Sequence, residues 1–232
     1  GVTAQSNDGG LQIYTVNGGA ASGNVIGGST AAARNVIAAA RFGSGVSLSG
    51  SGTTNTVVRV NYIGADKNGN GNSTGNTVGN AAGGVEIVDA TDSSIGGPDP
   101  TDGNLIANNS GTGVTVRNSS PVPPAPQPPP AVRNSISNNR IFANSGQGID
   151  LNGDGSTAND PGDTDGGANG LQNFPVLSNA TNLPGPFTTV DADLISFFPG
   201  TYTVEFFANT TCNAGDREGD RLVGRFLNAV TG

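Results

Sequence analysis

The residues with the clearest potential for chemistry form an acidic run in the second half of the chain. Asp150, Asn152 and Asp154 stand at alternate positions and are followed by Gly155. Oxygen ligands at alternate positions, with a glycine that permits a sharp turn, are typical of the opening of a loop that wraps a calcium ion. The acidic ligand expected at the twelfth position of such a loop is absent, because Pro161 stands there.

Three further aspartates follow closely and are candidates for the missing carboxylate. The residues we expect to ligate the metal are therefore Asp150, Asn152, Asp154, Asp160, Asp163 and Asp165. The cofactor they would hold is Ca2+, and the alternative is that the chain has no cofactor. A weaker copy of the pattern runs from Asp66 to Gly71. In both places the competing interpretation is a solvated turn, since Asp, Asn and Gly also favour turns without an ion.

Catalytic groups are poorly supported by the sequence. The chain contains no histidine, which excludes every triad or metal site that needs one. General acid–base catalysis needs two or three ionisable groups that converge in one groove. The arginines lie beside different sequence phrases without a matching cluster of aspartates: Arg34, Arg59, Arg117 and Arg140. We therefore expect a protein that is not an enzyme, with a polysaccharide-active enzyme as the alternative.

Composition and charge exclude further classes of function. The formal net charge is −8, and the only basic residues are Lys67 and nine scattered arginines. This argues against nucleic acid as a partner, which requires clustered Lys and Arg. No apolar run approaches the roughly 20 residues of a membrane span. Gly accounts for 38 of the 232 residues, which favours a thin aliphatic core with tight turns between short strands.

An internal repeat gives the strongest indication of the fold. A glycine followed by two aliphatic residues at alternate positions recurs five times, with spacings of 35, 39, 29 and 35 residues between the first aliphatic positions. The aliphatic pairs are Leu11 and Ile13, Val46 and Leu48, Val85 and Ile87, Val114 and Val116, and Ile149 and Leu151. Alternation of this kind over a few residues is typical of a half-buried strand.

Two other phrases recur between the glycine-led ones. One ends in Ile-Gly, at residues 24–28, 61–64 and 94–97, and the other begins Asn-x-Ile/Val, at residues 35–38, 104–107 and 139–143. Three short strands per repeat, turned by Gly and Asn, predict one turn of a triangular coil of parallel strands. Helices are poorly supported, although residues 30–40 could hold one turn. The competing fold is a β-sandwich with fortuitous spacing.

These phrases resemble a known bacterial family. The segments 61–66, 83–87, 94–97, 103–109 and 111–116 resemble secreted right-handed parallel β-helix repeat proteins, which have a pectate-lyase-like fold and are often parts of large surface proteins. Residues 146–155, 159–165 and 171–177 look like the passage that ends the coil in that family. The resemblance covers residues 1–178 and implies an extracellular or cell-surface location, but its motifs are not specific to one function.

Two segments depart from the coil pattern. Residues 121–130 are a proline-rich insertion that cannot supply the donors of a ladder strand and is expected to form a polyproline II loop. Residues 183–232 carry longer strand-like runs at 187–190, 194–198, 202–207 and 222–227, and resemble the start of the immunoglobulin-like sandwich that follows the coil in the same family. Such a sandwich needs about seven strands in about 100 residues, so the module is expected to be incomplete.

The sequence therefore predicts an all-β protein, with a right-handed parallel β-helix over residues 1–178 and an incomplete β-sandwich-like module over residues 183–232. The expected function is a non-catalytic extracellular scaffold of a cell surface or self-assembling filament. Its partners would be neighbouring subunits, joined by strand complementation through the C-terminal module. The alternatives are a carbohydrate-binding or polysaccharide-modifying β-helix and an adhesin module, either of which would recognise surface glycans. Cys212 is expected to be a small buried residue or an intermolecular link.

Overall fold

The chain is an all-β protein whose larger part consists of parallel sheets. The computed structural model describes residues 8–16, 18–73, 76–120, 129–185, 188–197, 200–210 and 218–230. The predicted loop at residues 121–130 lies outside the described residues except for Pro129 and Pro130, which are exposed and belong to no strand. Cys212 also lies outside the described residues.

The five glycine-led phrases form one parallel sheet. Its strands, in spatial order, are β1 (Leu11–Tyr14), β5 (Val46–Ser49), β11 (Val85–Val88), β14 (Val114–Arg117) and β17 (Ile149–Leu151). Each strand pairs in register with the same phrase of the next repeat, so that Val85 lies between Val46 and Val114. The glycine before each strand therefore stands at the same position in each repeat of the sheet, in addition to forming a turn.

Two more parallel sheets collect the other phrases. One contains β3 (Val25–Gly27), β7 (Val57–Arg59), β12 (Ser94–Gly96) and β15 (Ser135–Ser137), and the other contains β4 (Val36–Ile37), β8 (Tyr62–Ile63), β13 (Leu105–Ala107) and β16 (Arg140–Phe142). The prediction for residues 61–64 was wrong in one respect. They pair with the Asn-led strands β4 and β13 and not with the Ile-Gly strands, because Asn61 continues the hydrogen-bonded row of asparagines described below.

Short elements fill the corners between these sheets. The remaining strands of this region are β2 (Ala21–Ser22), parallel to β6 (Thr53–Thr54), and β9 (Asn72–Ser73), antiparallel to β10 (Asn76–Thr77). The segment expected to hold one helical turn contains a 3-10 helix, Ala31–Ala33. Residues Ala168–Leu171 form a kinked turn in which Asn169 and Gly170 have left-handed backbone angles.

The core is a set of aliphatic columns that run from repeat to repeat. Alternate residues of each strand point inward, and in-register pairing places each inward aliphatic residue beside the equivalent residue of the next repeat. Ile63 and Ile106 are adjacent in one such column and are both fully buried. The column of the first sheet contains Val46, Val85 and Val114, with exposures of 0%, 1% and 0%. These columns give each repeat the same contacts with the next one.

Rows of amide side chains join the repeats at the corners. In each row a side-chain oxygen accepts the backbone N–H of the equivalent residue in the preceding repeat, at 3.0–3.1 Å. The rows are Asn35–Asn61–Asn104–Asn139, Asn80–Asn109–Asn144 and Ser93–Asn134–Asn169. Buried polar groups are costly unless they are hydrogen-bonded. These rows therefore give the buried polar groups at the corners their hydrogen-bond partners, and they also fix the register of the repeats.

The C-terminal region consists of two antiparallel strand pairs, β18 (Val176–Asn182) with β19 (Thr188–Asp193) and β20 (Thr201–Ala208) with β21 (Arg221–Val230). The predicted strand at residues 194–198 was wrong for residues 194–197, which form no strand. Strand β18 crosses the predicted domain boundary at residue 178. The alternation of residue types predicted runs that overlap β19, β20 and β21. The same alternation occurs at residues 194–197, which connect β19 to β20 and form no strand.

The β20–β21 hairpin lies against the last Asn-led strand. Gly219 and Ile141 exchange two backbone hydrogen bonds of 2.7 and 2.8 Å. The guanidinium of Arg140 donates to a carboxylate oxygen of Asp220 at 2.7 Å. A carboxylate oxygen of Glu218 accepts both the backbone N–H and the side-chain amide of Asn144, each at 2.9 Å. Glu218 thus takes the position that an asparagine oxygen occupies elsewhere in the row.

Candidate metal centre

Three of the six predicted ligands come together in the structure. Asp160, Asp163 and Asp165 each offer a carboxylate oxygen, and these oxygens all lie within 4.8 Å of one another. The three side chains are partly buried. Neither Asp150 nor Asp154 belongs to this group of acidic side chains in the described part of the chain. Of the six predicted ligands, the carboxylates that converge are therefore the three later ones, and calcium binding by them stays a prediction.

Hydrogen bonds of Asn173 hold the loop that carries these aspartates. The backbone N–H of Asp160 donates to the side-chain oxygen of Asn173 at 3.0 Å, and the side-chain amide of Asn173 donates back to the carbonyl of Asp160 at 2.8 Å. The same amide also donates to the carbonyl of Ile195 at 2.8 Å. One buried amide thus ties the acidic loop to the end of the coil and to the segment that precedes β20.

Asp163 is fully engaged by hydrogen-bond donors. One oxygen accepts the backbone N–H of Asn173 at 2.9 Å, and the other accepts the side-chain amide of Gln172 at 2.9 Å and a short hydrogen bond from the hydroxyl of Ser196. Gln172, Asn173 and Ser196 were not among the ligands or supporting residues expected from the sequence. No spacing motif links them to the aspartates, because Ser196 lies 33 residues from Asp163 and reaches it only through the fold.

Two carboxylate oxygens in the group have no hydrogen-bond partner among the described residues. They are Oδ1 of Asp160 and Oδ1 of Asp165, and both atoms are buried. Burial raises the pKa of Asp165 above its usual 3.8, and the neighbouring carboxylates of Asp160 and Asp163 raise it further. A buried anionic oxygen without a partner is costly. A hard divalent cation, which prefers several oxygen ligands at 2.3–2.6 Å, fits these atoms chemically.

The loop that begins at Asp150 is arranged differently. The two carboxylate oxygens of Asp150 accept the backbone N–H groups of Gly153 and Gly155, each at 3.1 Å. The side-chain amide of Asn152 donates to Asp154 at 2.8 Å. Burial raises the pKa of Asp150. These contacts favour the alternative that Asp, Asn and Gly form a turn here, because the oxygens of Asp150 bind the loop's own backbone.

The weaker copy of the motif is also a turn. One carboxylate oxygen of Asp66 accepts the backbone N–H groups of Asn68 at 2.8 Å and Asn70 at 2.9 Å. The hydrogen bond from Asn70 is the main reason that the pKa of Asp66 lies below its usual value. The sequence pattern therefore corresponds to the same local chemistry in both places, a carboxylate that caps backbone amides.

Replacing Asp165 with Asn tests the metal centre, because the substitution should stabilise the chain without calcium and destabilise it with calcium. An aspartate whose folded pKa is raised loses stability as the pH rises through that pKa, and the loss is absent below its unfolded pKa of about 3.8. Without calcium, Asp165→Asn should therefore melt at a higher temperature than the native chain at neutral pH, and this difference should vanish in acid. With calcium it should melt at a lower temperature, because a ligand is lost.

Thermal melts at several pH values, with calcium and with a chelator, measure both effects. Asp193→Asn is the matched control, because Asp193 is an exposed aspartate on β19. A native melting temperature that is the same with calcium and with a chelator would contradict the metal centre.

No family model, no curated protein and no solved structure matches it. Within the described ranges, no helix has the length and apolar character needed to cross a membrane.

Proposed function

We propose that residues 1–178 form a right-handed parallel β-helix and that the chain is a non-catalytic structural scaffold of an extracellular surface or filament. The observation that carries this proposal is the register of the three parallel sheets. Strands of successive repeats pair residue to residue in all three, with the same columns and amide rows in each repeat. The right-handed sense and the extracellular location come from the family that the sequence resembles.

Such a stack suits a mechanical role. Each repeat is attached to the next by backbone ladders on three sides and by buried amides at the corners, for example Asn104 to Asn139 at 2.9 Å. Repeat proteins of this kind are stabilised mainly by contacts between nearest neighbours. A load applied along the stack is therefore shared by many equivalent contacts, and the length of the rod follows from the number of repeats.

In this proposal calcium is a structural ion at the C-terminal end of the rod. Asp160, Asp163 and Asp165 would hold it, and it would supply positive charge to the two partnerless carboxylate oxygens. Asn173 and Ser196 connect the same loop to the C-terminal strands. The ion would thus fix the junction between the coil and the β18–β21 region, and no reaction is assigned to it.

The C-terminal strands are the proposed contact between subunits. In the described residues, β18 and β19 pair only with each other, and the β20–β21 hairpin adds only the bridge from Gly219 to Ile141. A two-stranded ribbon is marginally stable alone. Strand β21 also exposes large apolar side chains, with Phe226 at 61%, Leu227 at 54% and Val223 at 53%. Strands from a neighbouring subunit would cover these faces and complete the incomplete sandwich by strand addition.

Electron microscopy of the purified chain tests this function. We expect ordered polymers, and we expect Phe226→Glu to remove them, because the charge would be buried in the contact. Ser110→Glu is the matched control for an added charge, because Ser110 is exposed and lies outside the C-terminal strands. Native chain that shows no polymers, or turnover of a polysaccharide by the native chain, would contradict the proposal.

A further inference from the structure

The acidic loop contains a peptide bond of a kind that its own side chain can attack. The chain has two bonds from an aspartate to a proline, Asp99–Pro100 and Asp160–Pro161. An aspartate carboxylate can add to the carbonyl carbon of its own residue, because this closes a five-membered ring. The proline nitrogen belongs to a tertiary amide and leaves as a secondary amine. Since proline has no N–H, its nitrogen cannot attack the aspartate side chain in the competing reaction.

The carboxylate of Asp160 has one oxygen available for this attack. Its Oδ2 accepts the backbone N–H of Thr164 at 3.1 Å and the hydroxyl of Thr164 at 3.0 Å, and these bonds fix the side chain. Its Oδ1 is buried and has no hydrogen-bond partner among the described residues. An anionic oxygen that water does not solvate is a stronger nucleophile, because no hydration shell has to be removed before it reacts.

The carbonyl oxygen of Asp160 accepts two N–H groups. The side-chain amide of Asn173 donates to it at 2.8 Å, and the backbone N–H of Asp163 donates at 3.4 Å. Asn173 is 4% exposed, and its own side-chain oxygen accepts the backbone N–H of Asp160 at 3.0 Å. N–H groups directed at a carbonyl oxygen stabilise the negative charge that develops there when a nucleophile adds. The loop therefore presents both a free nucleophile and a polarised carbonyl on one residue.

The other bond of this kind lacks both features and serves as an internal comparison. Asp99 is exposed, and its Oδ1 accepts the backbone N–H and the hydroxyl of Thr101 at 2.9 and 2.8 Å. Among the described residues, its carbonyl oxygen accepts only the backbone N–H of Asp102, at 2.9 Å. The two bonds therefore have the same chemistry in the unfolded chain and different surroundings in the folded one.

We propose that the chain cleaves itself at the bond between Asp160 and Pro161. Oδ1 of Asp160 forms a bond to the carbonyl carbon of the same residue, while the amide of Asn173 stabilises the charge on the carbonyl oxygen. The C–N bond then breaks, the nitrogen of Pro161 takes up a proton from the solvent, and Asp160 becomes a cyclic anhydride. Water hydrolyses the anhydride to two carboxyl groups, so the net reaction is the hydrolysis of one peptide bond. Pro161 is exposed, so water and protons reach the bond.

Cleavage at this bond divides the chain between its two regions. Residues 1–160 contain every strand of the three parallel sheets, the last of which is β17, and residues 161–232 contain β18 to β21. The C-terminal strands would lose their covalent link to the coil while every ladder of the coil stays intact. Because the chain is consumed, the reaction is a modification of the protein and not an enzymatic turnover. It needs no metal ion and no second copy, so it does not depend on the proposed function.

Mass spectrometry of the native chain in a mildly acidic buffer tests the cleavage, with circular dichroism to confirm that the chain stays folded. A chelator is present so that no divalent cation occupies Oδ1 of Asp160. We expect fragments 1–160 and 161–232 to form at least about 10-fold faster than the fragments from Asp99–Pro100, a ratio that corresponds to about 1.4 kcal/mol of activation free energy. In urea the two rates should become equal, because the hydrogen bonds of Asn173 are lost.

Equal rates at the two bonds of the folded chain, or no cleavage after Asp160, would overturn the inference. A ratio that persists in urea would overturn it as well, because the fold would then not be its cause. The rate constant should be independent of chain concentration, and a rate constant that rises with concentration would contradict an intramolecular attack.

A substitution of the leaving group tests the chemistry separately from the loop. Pro161→Ala should keep the fold, since Pro161 is exposed, and should stop the cleavage after Asp160, because the nitrogen of an ordinary peptide bond is a poorer leaving group. Pro100→Ala is the matched control and should leave the cleavage after Asp160 unchanged. Continued cleavage of Pro161→Ala at the same position would indicate a contaminating protease and would overturn the proposed self-cleavage.

Discussion

Replacing Asn109 with Ala is expected to lower the free energy of unfolding by about 3–5 kcal/mol, since several buried polar groups lose their partners at once. The side-chain oxygen of Asn109 accepts the backbone N–H of Asn80 at 3.1 Å and its side-chain amide at 2.8 Å. Its own amide donates to Ile63 and to Asn144. Alanine would remove these four hydrogen bonds at a site that is only 1% exposed, although the amide of Asn80 keeps its bond to Ile37 and the oxygen of Asn144 keeps the backbone N–H of residue 109.

Chemical denaturation of the variant measures this loss. Ser110→Ala is the matched control, because Ser110 is the next residue and its side chain is exposed. We expect the control to change the free energy of unfolding by less than about 0.5 kcal/mol, as is usual for surface substitutions. A loss for Asn109→Ala as small as that of the control would mean that the amide rows do not hold the repeats together.

Replacing Gly64 with Ala is expected to cost a similar amount, about 3–5 kcal/mol, for two independent reasons. Gly64 has a φ of +82°, which L-residues rarely adopt. A Cβ at this position would also overlap the carbonyl oxygen of Ala107 and the side-chain oxygen of Asn109. Neither atom can move freely, since Ala107 is paired in β13 and Asn109 belongs to an amide row.

Gly43→Ala separates the two causes of that cost. Gly43 has a φ of +80°, almost the same as Gly64, but a Cβ built there meets nothing within 4 Å. We therefore expect Gly43→Ala to cost only the conformational term, about 1–2 kcal/mol. Equal losses of unfolding free energy in the two variants would show that the close approach of neighbouring repeats at Gly64 contributes nothing.

Much of the parallel architecture could be predicted from the sequence, because each repeat uses the same residue types for the same physical reason. The glycine recurs at Gly45 and Gly84 because a Cβ there would meet the side chains of a buried isoleucine and a buried asparagine and the carbonyl oxygen of the next glycine in the column. The assignment of Asn61 failed because Ile-Gly follows it, as in the other phrase. The feature that decides its sheet is a hydrogen bond to Asn104, 43 residues away, and no local pattern reports such a contact.

The candidate metal centre and the contact of the β20–β21 hairpin with the last Asn-led strand could be predicted less completely from the sequence. The spacing of Asp150, Asn152 and Asp154 indicated a calcium loop, but the same residues also suit a turn, and local hydrogen bonds decide between the two. The convergence of Asp160 with Asp165 depends on how Asn173 folds the loop back. The contact of Glu218 with Asn144 joins residues 74 positions apart, and the sequence around Glu218 resembles any exposed acidic turn.

The most direct test of the stacked parallel repeats is a set of nuclear Overhauser contacts between the isoleucines of one column. Ile63 pairs between Ile37 and Ile106, and Ile106 pairs with Ile141. We predict methyl contacts of Ile63 with both Ile37 and Ile106 and of Ile106 with Ile141, together with backbone contacts in the parallel pattern. Antiparallel backbone contacts between these strands, or the absence of contacts from Ile63 to one of its two neighbours, would contradict the stack and the scaffold function proposed from it.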